Sequence, residues 1–81
     1  MMVQNVKMME PFKNKNKDRI IKKIYNMNMN VYLIYAPLKN VSGTDYNGSY
    51  YIVDKKTGEW RSFNPSENFN LFDSALKNEI K

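Results

Sequence analysis

The segment "YIVDKKTGEWRSFNPSENF", residues 51–69, constrains the fold of this 81-residue chain more tightly than any other. With Tyr50 before it, the run to Asp54 is built of aromatic and β-branched side chains, the types strands favour. The residues "DKKTG" then form a turn in which Gly58 takes positive φ with no Cβ to clash, and 59–63 return as the partner strand. A β-hairpin follows from turn chemistry alone.

Directly after it, Asn64 is placed to cap a helix, Pro65 to occupy a first-turn position that needs no N–H, and Glu67 to complete a capping box. Phe69, Phe72, Leu76 and Ile80 continue at helical spacing, which predicts an amphipathic C-terminal helix with Phe69 and Phe72 in the core. Trp60 is expected there too.

Upstream, "NVYLIYAP", residues 30–37, is a strand by composition. Val31, Leu33 and Tyr35 share one face and Tyr32, Ile34 and Ala36 the other, so both faces are apolar and both are expected to be covered. Pro37 ends the strand or marks it as a sheet edge open to pairing with another chain. The polar stretch "LKNVSGTDYNGS" connects it to the hairpin, with "NG" as a turn signal. Ile20, Ile24 and Met27, widened by Ile21 and Tyr25, predict a core-facing helix from Asn14 onward, capped at Asn16. Residues 1–13 lack periodicity and read as a flexible arm, in which Met8 and Met9 are alternative start positions to Met1 and Met2. The expected architecture is an arm over 1–13 and a single α+β domain over 14–81. That domain comprises a helix, a three-stranded antiparallel sheet and a C-terminal helix.

A chain this short buries roughly 60% of its unfolded surface, so every element must serve one core. The sequence contains no histidine and no cysteine, which removes the usual neutral-pH base, the thiolate nucleophile and nearly all zinc sites. The serines consequently have no imidazole to activate them. Asp54 and Glu59 flank the hairpin turn and form the one conceivable carboxylate pair, although solvated turn acids are the commoner outcome. "SGTDYNGS" fits neither a P-loop nor a calcium loop. The expectation is a non-enzyme with no cofactor and no metal.

No apolar run reaches the ~20 residues needed to span a bilayer, and the N-terminus lacks the apolar core of a signal peptide. A cytoplasmic protein that does not engage membranes is expected, and the lack of cysteine agrees. Asn, Lys, Ile, Tyr and Phe supply 39 of the 81 residues, all from AT-rich codons, which points to a low-GC bacterium or its phage.

The net charge of +5 resides in residues 1–24, which hold seven basic side chains against two acids. Lys13, Lys15, Lys17, Arg19, Lys22 and Lys23 are candidates for contact with nucleic acid or an acidic protein surface. Only one of them is Arg, the side chain preferred for bidentate phosphate contacts. Aromatic residues are abundant for so small a domain, so one set is expected to face outward. On the hairpin this singles out Tyr51, Lys55, Lys56, Trp60 and Arg61 as a partner-binding set.

The run "YIVDKKTGEWRSFNPSENFNLF" resembles the C-terminal part of small bacterial immunity-type domains, including the YrhB-like group. In these domains a strand, a D-x-x-T-G-E turn, a second strand and a Pro-containing helix start recur. About 30 of 81 residues are involved. The resemblance implies a protein that binds and neutralises a toxin or host protein. A phage inhibitor of a host enzyme or defence system fits the same features, nucleic-acid binding by the basic N-terminal third is the alternative, and a homodimer stays open.

Overall fold

The computed structural model describes residues 9–28, 30–39 and 49–80. It is an α+β fold in which an antiparallel sheet lies between two short helices. Helix α1 spans Glu10–Lys15, strands β1 to β4 span Lys23–Asn26, Val31–Tyr35, Tyr50–Asp54 and Trp60–Phe63, and helix α2 spans Phe69–Leu76. The sheet order is β1-β2-β3-β4, a meander of four strands rather than three. The "NG" turn at residues 47–48 and the Met1, Met2 and Met8 positions lie outside the described residues.

The added strand occupies the region whose spacing predicts a helix from Asn14. Ile and Tyr are better strand than helix formers, and β2 with β3 alone beside it would leave the backbone groups of its other edge unpaired. β1 supplies the second neighbour, pairing Ile24 with Ile34 and Tyr25 with Leu33. β2 is therefore interior: of the two readings of Pro37, the strand end holds, since β2 stops at Tyr35, and the sheet edge is corrected.

Residues 9–13 are likewise not a free arm. Pro11 sits in the first turn of α1 with Glu10, while Lys13 and Lys15 occupy the last turn, so the charges oppose the helix dipole favourably. The Asn16 side chain closes the helix by donating to the Phe12 carbonyl at 3.0 Å. Met9 and Phe12 are fully buried and seat α1 on one face of the sheet with Ile24, Ile34, Ala36, Tyr51 and Val53. The opposite face joins Tyr25, Leu33, Tyr50, Ile52 and Phe63 to Phe72 and Ala75 of α2. Both faces of β2 are covered, as its composition predicts.

The C-terminal helix begins later than its capping signals suggest. Asn64 accepts from the Ser66 N–H and starts only a single 3-10 turn, Pro65–Glu67. Asn68 then caps α2 by accepting from the Leu71 N–H at 3.1 Å. This restart rotates the helix so that Phe72 and Ala75 face the sheet and Phe69, 61% exposed, does not. Ile80 lies beyond the helix and packs on the α1 side. The chain thus wraps around the outer edge of β1.

Candidate docking surface

The two edges of the sheet differ. Asn26 donates its N–H to the Asn78 carbonyl at 3.0 Å, and the Ile80 N–H reaches the Ile24 carbonyl at 2.8 Å. The outward Ile24 carbonyl and Asn26 N–H of β1 are therefore occupied by the C-terminal segment. On β4 the Asp54 N–H donates to the Glu59 carbonyl at 2.8 Å, and Ile52 pairs with Arg61 two residues on. Antiparallel alternation then turns the backbone groups of Glu59, Arg61 and Phe63 toward β3, and those of Trp60 and Ser62 away from it. Among the described residues nothing covers that outer edge.

The α2 layer reaches β4 only at Phe63, where the Phe72 ring stacks at 6.4 Å. A shallow open cleft of about 460 Å³ remains, lined by Val31, Ile52, Asp54, Glu59, Trp60 and Arg61. Arg61 and Ile52 are shared with a second depression that runs along Ser62 and Phe63 to Asn68 and Leu71. Two adjoining depressions thus follow β4 and meet at Ile52 and Arg61: the first is mainly apolar and includes Asp54 and Glu59 in its lining, and the second, more polar, includes Glu67 and the exposed Leu71.

Of the partner-binding set, Arg61 belongs to this surface and is exposed. Trp60 is half-buried on the α1 side, its indole edge-on to Phe12 at 5.7 Å. Tyr51 is buried, with Phe12 4.8 Å away and the Arg19 guanidinium 5.3 Å above its ring, so it is corrected from surface contact to core. Lys55 is engaged internally: its ammonium donates to the Asn26 side chain and the Asn28 carbonyl, both at 3.0 Å, and lies 4.6 Å over the Tyr32 ring. Lys56 is exposed in the turn. The expected outward-facing aromatic set of the hairpin is corrected as well, since Tyr50 and Tyr51 lie on opposite faces and both are covered.

The basic set is carried on several segments rather than on one helix. Lys13, Lys15 and Lys17 are exposed on α1 and the turn after it. Arg19 is half-buried and donates to the Ala36 carbonyl at 3.0 Å, which makes it a clamp between chain segments. Lys22 and Lys23 meet at a bulge: Lys23 pairs with Tyr35, and the Lys22 N–H also reaches the Tyr35 carbonyl at 2.8 Å. The helix predicted from Asn14 onward, which would carry most of them, is not formed.

Asp54 and Glu59 line the cleft together, but the Asp54 carboxylate accepts from the Lys56 and Thr57 backbone N–H groups at 2.8 and 2.9 Å. Those bonds, led by the one from Thr57, hold it below the ordinary carboxyl range. Asp54 is thereby held ionised, the opposite of what a general acid requires. No three His, Cys, Asp or Glu side chains converge as a metal-ligand set among the described residues. No described helix is long and apolar enough to cross a membrane. The chain matches no protein-family model, no curated protein and no solved structure.

The groove was not legible in the sequence because it is created by what α2 fails to cover. Arg61 was identifiable from its strand position, whereas Leu71 and Glu67 were hidden by a helix start read four residues too early.

Proposed function

We propose that this chain is a small non-catalytic binding protein that occludes a partner protein through the groove along β4. The observation that carries this reading is the pair of adjoining depressions that meet at Arg61, one mainly apolar and both with carboxylates in their lining. Such a surface offers an apolar contact area and a guanidinium anchor to a segment of a partner. The likeness of residues 50–72 to immunity-type domains supports the same reading, and an inhibitor encoded by a phage or mobile element is its natural setting. That the basic residues do not share one helix, and that Arg19 is tied to the Ala36 carbonyl, favours it over nucleic-acid binding.

The test is isolation of the tagged protein from host lysate together with a Leu71→Asp variant and a Lys13→Glu plus Lys15→Glu variant. A stoichiometric protein partner kept by the wild type and the lysine variant, and lost from Leu71→Asp, supports the groove. Absence of any such partner, or its loss only from the lysine variant, overturns it.

A further inference from the structure

We infer that the open edge of β4 pairs with β4 of a second copy of this chain, antiparallel about a twofold axis at Trp60. In a twofold pair of antiparallel strands lying in one sheet, some residue must stand opposite its own copy. The backbone groups of Trp60 and Ser62 are the ones that point outward, so the choice of register decides which side chains meet.

With Trp60 opposite Trp60, the two exchange their N–H and carbonyl groups, and Glu59 stands opposite the partner's Arg61 on both sides of the axis. These flanking positions are the non-hydrogen-bonded ones, where the Cα atoms approach to about 4.5 Å and side chains interact most closely. Opposite charges meet twice on the α2 face. On the α1 face the exposed parts of the two half-buried indoles meet across the axis. The next twofold register, centred on Arg61, sets two guanidinium groups directly opposite each other and is disfavoured.

Natural edge strands are usually blunted by charges that repel a copy. Here the two edge charges, two residues apart and opposite in sign, complement themselves instead. The pairing continues the meander into an eight-stranded sheet and places both grooves on the same face, side by side across the axis. A binding protein of the kind proposed above would then present two equivalent sites. The contact is short, so association is concentration-dependent.

Sedimentation equilibrium from low micromolar to millimolar concentration tests the inference. The expected result is a weight-average mass rising from one chain toward two. Glu59→Arg and Arg61→Glu each replace two attractive pairs with two repulsive ones and should weaken association by about tenfold or more. Mixing these two variants recreates both attractive pairs between unlike chains, so the mixture should associate where neither component does. Circular dichroism of each variant checks that the fold is retained, and the mixing experiment keeps the result decisive if one variant is less stable. A wild type that stays monomeric throughout, single variants that associate like the wild type, or a mixture that fails to associate would each overturn the pairing. Leu71 lies outside the Glu59–Arg61 contact, so this test and that of the groove fail independently.

Discussion

The Phe12 ring lies 4.8 Å from that of Tyr51, with the planes at 61°, and this contact anchors the N-terminal helix to the sheet. Phe12 is 1% exposed and also meets Trp60 edge-on, so its removal leaves a cavity bounded by two aromatic rings. Phe12→Ala should cost about 3–5 kcal/mol, a large share of the stability of a domain this small. Urea unfolding checks it: a midpoint unchanged by the substitution would mean that residues 9–13 do not belong to the core.

The reading of these residues as an arm shows where sequence reasoning reaches its limit. The hairpin and β2 were legible because their signals are local: Gly58 at φ 76°, strand alternation, a turn of fixed length. α1 is a single six-residue helix, too short for periodicity to register, and its burial depends on a sheet formed by residues far along the chain. β1 was hidden for a different reason. Arg19 bridges Leu38 and Ile20 bonds Pro37, whereas Lys23 pairs with Tyr35, so one extra residue is accommodated between them. That bulge breaks the period of two, and the isoleucines on either side fall at a spacing that imitates a helix. In the candidate site, Arg61 could be read from the hairpin, while the groove depends on how far α2 reaches.

The alternation of β4 makes a direct prediction for amide exchange. The Arg61 N–H points to β3 and should be strongly protected, while those of Trp60 and Ser62 point to the open edge and should exchange far faster at low protein concentration. The Asn26 and Ile80 amides, which join β1 to the C-terminal segment, should be protected despite lying at the periphery. Exchange measured by NMR at low concentration distinguishes the two edges. Equal protection of Trp60 and Arg61 under those conditions would contradict the assignment of an open edge.

Adjacent lysines in the turn should behave differently. Lys55 ties the β1–β2 turn to β3 through Asn26, Asn28 and the face of Tyr32, whereas the Lys56 side chain is exposed. Lys55→Ala should cost about 1 kcal/mol, the sum of modest exposed hydrogen bonds and a cation–π contact. Lys56→Ala should stay within about 0.5 kcal/mol of the wild type. Chemical denaturation of the two variants side by side checks the contrast, and equal effects would remove Lys55 as a structural tie.

Stability should fall at both ends of the pH scale for identifiable reasons. The Asp54 carboxyl is held below its ordinary value of 3.8, first by the Thr57 backbone N–H and then by that of Lys56. A folded-state value below the unfolded one means that its contribution is complete above the unfolded value and is lost as pH falls through the folded one. Tyr25 is shifted the other way, raised above 10.0 by burial, then by the Glu79 carboxylate and by Tyr35. Its contribution is complete below the ordinary phenol value and is lost as pH rises toward the folded one. Asp54→Asn should therefore flatten the acid limb of the urea midpoint against pH while leaving the alkaline limb intact, and Tyr25→Phe should do the reverse. Because the Asp54 bonds initiate the β3–β4 turn, acid should also loosen Glu59 against Asp54 before it reaches the Phe12 layer. Amide exchange at Lys56 and Thr57 should accordingly rise more than at Val53 as pH falls, once corrected for the intrinsic pH dependence of exchange. A uniform rise across all three would place the acid-sensitive group elsewhere.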